Sequence, residues 1–203
     1  MAHDPMENSC GGHEKGVPFL QGEKLYLRPL LVSDCDGPYL TWLNDEAVCY
    51  GNSHHVFPYT LDQARAYVGH VQAHSNHRSA LVLAMIEKKS DRHIGNVALD
   101  AIDYISRCAE FSIIIGQKEA WGLGYGKEAG RLILTHGFYC LNLHRISCGT
   151  LDNNTAMIRL ARYLKMGQEG VRRQAVFKNG RYRDVIEFGV LSNEFDPFQE
   201  PGA

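Results

Sequence analysis

The sequence predicts an α/β (α+β) fold, a mixed, mostly antiparallel sheet of about seven strands with about four helices, and three observations carry that prediction. Apolar residues recur at period two in some segments and at helical spacing in others, in the order β-α-α-β-β-β-α-β-α-β-β. Strands that follow one another directly are joined by short polar turns, at Lys89 to Arg92 and at Asn179-Gly180, which pairs them antiparallel. The passage from Cys108 to Leu151 places a helix between two strands and predicts a single parallel crossover.

Residues 1–20 are polar and aperiodic and are expected to form a mobile tail; 21–195 form one domain and 196–203 a second tail. KLYLRPL (Lys24 to Leu30) alternates as a first strand does, and Ser33 caps a helical stretch running to about Leu43. After the loop NSHHVFPYT, Thr60 with Gln63 makes a capping-box pattern ahead of a second helix. From Ser79 the period shortens: two strands flank the Lys89 to Arg92 turn, and RCAEFSIIIG is a third. KEAGRLILTHGFYCL is helical from about Lys127, with Ala129, Leu132, Ile133, His136 and Gly137 on one face. HRISCGTL is a strand, NNTAMIRLARYLK a helix with an asparagine cap, and two final strands flank KNGRY.

With 203 residues and no linker-like break, the chain has the size of one domain with a substantial core. A net charge of −2 gives no general attraction to nucleic acid or anionic membrane, so neither is an expected partner. No apolar run approaches a bilayer-spanning length and the first sixteen residues lack a signal-peptide core, so a cytoplasmic location is expected. The six cysteines form no CxxC, which argues against a disulfide framework or structural zinc, and no metal is expected. His70, His74 and His77 share helical spacing, but no carboxylate or cysteine accompanies them, and they read as exposed histidines.

The segment IIIGQKEAWGLGYGKEAG carries the chemistry. Gly122, Gly124 and Gly126 alternate between a strand end and a helix start, where unpaired amides and the helix dipole can bind an anion and missing side chains let a phosphate approach. A flexible glycine turn is the plain alternative. Neither the G-x-x-x-x-G-K-[ST] nor the G-x-G-x-x-G phosphate loop is present.

AEFSIIIGQKEAWGLGYGKEA, followed by NLHRI, NNTAMIRL, EG and NGRYRD, resembles the GNAT superfamily of acetyl-CoA-dependent N-acetyltransferases over about residues 23–195. The likeness lies toward the branch with ribosomal-protein N-terminal, spermidine and nucleotide-amino-sugar acetyltransferases. It implies a sheet splayed near its middle, with acetyl-CoA as co-substrate. Residues Trp121, Gly122, Leu123, Gly124, Tyr125, Gly126 and Lys127 would cradle the coenzyme A pyrophosphate, although Trp121 departs from the Gln or Arg that heads the family loop. Ile113, Ile114 and Ile115 would pair their backbone with the pantetheine arm, as an added strand pairs with an open edge. Asn154 matches an asparagine that contacts pantetheine, and is also a plain helix cap.

Acetyl transfer needs a neutral amine, so a proton must leave an alkylammonium whose pKa is near 10.4. By the resemblance Glu110 is the candidate base, directly or through water, with an exposed sheet-edge glutamate as the alternative. The family's proton donor to the thiolate is a tyrosine seven residues after the asparagine and four before a Gly-Phe pair. Counting without gaps from Asn154 reaches Ala161 and turns the Gly-Phe into Lys165-Met166; counting back from Gly167 reaches Tyr163. Two residues turn a helix by about 200°, so the registers exclude each other, and Tyr163 stands as acid candidate against protonation by solvent.

The acceptor is expected between Cys49 to His55 and the last hairpin, whose Arg172, Arg173, Arg181 and Arg183 incline the reading toward an anionic or peptide acceptor, with a solvated basic hairpin as the alternative. WLND, from Trp42, reads as a core tryptophan at a helix end. The implied activity is transfer of an acetyl group to a primary amine: a peptide N-terminus, an amino sugar or another small amine. The competing reading is a non-catalytic acyl-CoA-binding sensor. Monomer and homodimer both stay open.

Overall fold

A computed structural model describes residues 16–76 and 78–198. Its strands are β1 (Leu20–Gln21), β2 (Leu25–Pro29), β3 (Leu81–Glu87), β4 (Arg92–Asp103), β5 (Cys108–Ile115), β6 (Arg145–Leu151), β7 (Gly167–Lys178) and β8 (Arg181–Leu191). Helices are α1 (Tyr39–Leu43), α2 (Leu61–Asn76), α3 (Tyr125–Tyr139) and α4 (Thr155–Tyr163). All eight strands join one sheet in the order β1-β2-β3-β4-β5-β6-β8-β7, antiparallel except for β5 against β6. The strand beyond the expected seven is β1, where Leu20 pairs with Leu27. Residue 20 therefore belongs to the sheet, and Phe19 N–H already donates to Leu27 O at 2.7 Å.

Each element follows from local chemistry. The capping box holds as expected: Thr60 N–H donates to Gln63 Oε1 (2.9 Å) and Gln63 N–H to Thr60 Oγ1 (3.3 Å), which starts α2 at Leu61. The single helix expected from Ser33 to Leu43 is instead a 3-10 turn (Val32–Asp36) followed by α1, because Pro38 lacks the N–H a continuous helix would use. In the last hairpin Asn179 and Gly180 both have positive φ (49° and 77°), the type I′ conformation that matches strand twist. The asparagine cap is real: Asn154 Oδ1 accepts from Met157 N–H at 3.1 Å. Of the three helical histidines, His77 lies outside the described residues and only the backbone of His74 is described.

Two apolar layers sandwich the sheet. On one face α3 and α4 cover Leu27, Leu83, Met85, Val97, Leu99, Phe111 and Ile146; on the other α1 and α2 cover Val82, Ala84, Ile86 and Ala98. The buried stripe of α3 is Ala129, Gly130, Ile133, Leu134, Gly137 and Phe138, so it runs one residue further round than expected and leaves Leu132 and His136 half-buried at its margin. Trp42 is a core residue, 3% exposed, as its position at a helix end predicts. It lies on Gly116, where any Cβ would be 1.8 Å from the indole.

Candidate active site

The site begins where the sheet opens. Strand β5 pairs with β6 through three rungs only, Cys108↔Arg145, Ala109↔Ile146 and Glu110↔Ser147, whereas it stays paired with β4 as far as Ile115↔Gly95. Beyond Glu110 its second edge is therefore unpaired. Ile115 O turns away from β4 and accepts from Trp121 Nε1 at 2.8 Å, while Gly116 N–H turns toward β4 and donates to Ile94 O. By strand alternation, Phe111 and Ile113 also present N–H and C=O to the gap, and Ile114 points its backbone at β4.

Trp121 thus ties the glycine loop to the open edge. A short 3-10 turn, Lys118–Ala120, leads into it, and Gly122 (φ 75°) and Gly124 (φ 90°) then bend the chain so that α3 starts at Tyr125, two residues earlier than expected. Gly126 has no such φ and serves close approach: a Cβ there would be 3.3 Å from Ile115 Cδ1 and 3.9 Å from Ile113 Cδ1. Lys24 Nζ donates to Leu123 O (3.1 Å), and Glu128 accepts from Lys24 N–H (2.9 Å), anchoring the helix start to β2. The Tyr125 hydroxyl donates to Glu87, so at this position only the backbone faces the loop's anion side. Lys127 Nζ sits 4.7 Å from the centre of the Tyr163 ring.

Between the splayed strands lies a cavity of about 560 Å³. Its walls include Glu110, Ile113 and Ile114 of β5, Gly149 to Leu151 of β6, Asn154 and Met157 of α4, and Gly51 to His54. The tyrosines Tyr39, Tyr59 and Tyr67 close the side toward α1 and α2. Glu110, Ile113, Ile114 and Asn154 are thereby brought together, with the glycine loop held to the same strand end.

Tyr163 is not among the lining residues, and the end of α4 shows why. Lys165 N–H bonds Arg162 O (3.1 Å) and Met166 N–H bonds Ala161 O (2.9 Å), with Lys165 in the left-handed region at φ 61°. That is a Schellman cap whose left-handed residue is Lys165. A left-handed Lys165 is what the gapless count calls for, since that count sets the glycine of the family's Gly-Phe at this position, and the residue seven after Asn154 is then the fully buried Ala161. The acid candidate Tyr163 is rotated off the cavity toward Lys127.

Electrostatics bear on the acceptor expectation. Of the hairpin arginines only Arg172 lines the cavity, and its Nε is 2.5 Å from Glu187 Oε1; Arg183 lies 3.4 Å from Asp152. Conversely, Asp100 and Glu110 are directly opposed across β4 and β5, so both side chains project from one face about 5 Å apart at Cβ. Neither has an ion-pair partner among the described residues. Burial raises the Asp100 carboxyl above its ordinary value, against the Ser112 hydroxyl that donates to it at 3.0 Å. Burial also pushes the nearby Tyr67 hydroxyl up to about 12, with the Asp100 charge adding to it. Sequence reasoning missed Asp100; its place opposite Glu110 depends on the register of two strands.

Comparison with known proteins agrees with this geometry. The acetyltransferase (GNAT) domain matches residues 24–167. The N-acetyltransferase p20 of Bacillus licheniformis, which carries the label uncharacterized, is 31% identical over 177 residues, 87% of this chain and 97% of that protein. Spermidine N(1)-acetyltransferase of Vibrio cholerae is 33% identical over 111 residues, 55% of this chain and 64% of that protein. The crystal structure of spermidine N-acetyltransferase from Vibrio cholerae in complex with CoA and spermine is similar with a TM-score of 0.74 at 27% identity, over 84% of this chain and 97% of that one. A ribosomal L7/L12 alpha-N-protein acetyltransferase in complex with coenzyme A shares the fold, with a TM-score of 0.75 at 17% identity.

Proposed function

This chain belongs to the GNAT acetyltransferase family, and from that premise we propose that it acetylates a cationic primary amine admitted on the α1/α2 side of the splayed sheet. The observation that carries the reading is the parting of β5 from β6 at Glu110, which opens one backbone edge beside a glycine loop at a helix start. Acetyl-CoA would lay its pantetheine arm along Phe111 to Ile115 and its pyrophosphate on the amides of residues 122–127. Asn154 caps α4 through Oδ1 and donates one Nδ2 proton to Gly51 O, and its second N–H would donate to that arm.

The chemistry then runs from the residues present. Glu110 accepts a proton from the ammonium, directly or through one water, and the neutral amine attacks the thioester carbonyl. Backbone N–H groups on the open edge stabilise the oxyanion, and the carbon–sulfur bond breaks as the carbonyl reforms. The attacking nitrogen loses its second proton to solvent as the amide forms, and the thiolate takes its proton from solvent, since the side chain at 161 is a methyl group. The opposed Asp100 and Glu110 support an acceptor with a second positive charge, a class to which the spermidine of the Vibrio cholerae relative belongs. Unpaired Cys35, Cys49 and Cys148, all buried, support a reducing, cytoplasmic setting.

The test is thiol release from acetyl-CoA with spermidine, an amino sugar and a peptide bearing a free N-terminus. Spermidine is expected to turn over fastest. Glu110→Gln should lower kcat/KM about 10²- to 10⁴-fold with little change in the acetyl-CoA KM. An unaffected Glu110→Gln enzyme would remove the base assignment, and preference for the amino sugar would remove the cationic acceptor.

A further inference from the structure

Gly51 to His54 form one wall of the cavity, in a loop that belongs to no helix or strand. Cys49 ties its start to α1, its N–H donating to Asp45 O (3.0 Å) and its thiol to Trp42 O (3.3 Å). The rest is held by two side chains that reach in from elsewhere. Lys178, the last residue of β7, is 6% exposed, and its ammonium donates to the carbonyls of Cys49 (3.0 Å), Asn52 (2.9 Å) and His54. An ammonium has three protons, and all three are spent on this loop. Gly51 O, between those carbonyls, accepts from Asn154 Nδ2 at 3.0 Å. A side chain at Gly51 would displace Asn154, because a Cβ would be 2.6 Å from Asn154 Cγ.

A lysine beside a hairpin turn ordinarily extends into water. Here the charge is withdrawn from solvent and has no carboxylate partner among the described residues, so the carbonyl dipoles must replace its hydration. Such an arrangement is costly to assemble and specific in geometry. It joins three separate parts of the fold: the hairpin through Lys178, helix α4 through Asn154, and the wall that faces the acceptor. The coenzyme cradle, built from β5 and residues 122–127, shares none of the three Lys178 bonds.

We propose that Lys178 is a positioning residue for the acceptor, holding the 49–54 wall in place through its three carbonyl bonds, with Asn154 linking that wall to the coenzyme side. This rests on the acetyltransferase reading of the cavity. Removing the ammonium loosens one wall, so capture of the amine weakens while binding of acetyl-CoA does not.

Lys178→Met keeps the apolar stem and removes the donors. With spermidine, or the fastest amine of the panel, its acceptor KM should rise about tenfold, the acetyl-CoA KM should stay within about twofold, and amide hydrogen exchange across 49–55 should quicken about tenfold. Unchanged acceptor KM and exchange, or both KM values rising together, overturns the proposal. If that variant does not fold, lysine-¹⁵N NMR of the wild type decides: one ammonium exchanging slowly enough to be seen at neutral pH, and absent in Lys178→Arg, is expected. Its absence in the wild type overturns the clamp. A wild type that acetylates no amine counts against the function proposed above, while the exchange and NMR readouts still judge the clamp.

Discussion

Replacing Gly124 by alanine separates backbone conformation from space in the glycine loop. Gly124 caps α3 with φ 90° and ψ −2°, and a Cβ there would meet only Lys24 Nζ at 3.5 Å, an ordinary contact. The whole cost is then conformational, about 1–2 kcal/mol for an L-residue held left-handed. For a chain of this size each kcal/mol shifts Tm by about 2–4 °C, so Gly124→Ala should melt about 2–8 °C lower. The same strain turns the first amides of α3, and losing about 1.4 kcal/mol of pyrophosphate binding is a tenfold rise in acetyl-CoA KM. Gly126→Ala is the control: its φ is ordinary, its nearest neighbours are the flexible side-chain methyls of Ile115, Leu160 and Ile113, and a helix-propensity gain of about 1 kcal/mol opposes the tight contact. Calorimetry and thiol-release kinetics on both variants check this. A Gly124→Ala enzyme with wild-type Tm and wild-type acetyl-CoA KM would refute the backbone cradle.

Two further outcomes follow from single side chains. Tyr163→Phe should leave kcat within about twofold, because the ring lies beside Lys127 and outside the cavity; a loss of tenfold or more would restore the tyrosine as proton donor. Acid unfolding should show Asp34 strongly: burial, the largest influence, would raise its carboxyl, but the Arg28 guanidinium, His93 and the Leu31 N–H together hold it below the ordinary aspartate value. A depressed folded pKa contributes stability that is present above the unfolded value near 3.9 and is lost as pH falls through the folded one. Chemical denaturation between pH 5 and pH 2 should therefore show a steep decline that Asp34→Asn flattens, from a lower starting stability, since Arg28 is left buried without its partner.

What could be read from the sequence was whatever one segment decides alone. The Thr60 to Gln63 cap, the Asn179-Gly180 turn and the glycine loop are local patterns, and each formed. Glu110, Ile113 and Asn154 came from the family likeness, and the register of β5 with β6 now places them on one cavity. Relations between distant segments stayed hidden. Nothing in CAEFSIII announces that Asp100 will face Glu110, which depends on where β4 bulges between Asp100 and Asp103. Nothing near Lys178 tells that its ammonium will enter a loop more than 120 residues earlier. The pairing of two hairpin arginines stayed hidden for the same reason, since Glu187 and Asp152 meet Arg172 and Arg183 only once the strands are paired.

The end of α4 offers a test in which a loss of side chain should stabilise the protein. Lys165 is exposed, left-handed, and the pivot of a Schellman cap whose flanking residues, Ala161 and Met166, are both buried. Lysine there bears a strain of about 1–2 kcal/mol that glycine would not. Glycine returns part of the gain through the greater freedom of its unfolded chain, about 0.5–1 kcal/mol. Lys165→Gly should thus be more stable by about 0.5–1 kcal/mol and melt about 1–4 °C higher. Substitution by alanine keeps the strain and removes the charge, and should change Tm by less than about 1 °C. If glycine destabilises while alanine does not, the left-handed cap is wrong. The gapless register would fall with it, and so would the argument that sends Tyr163 away from the reacting sulfur.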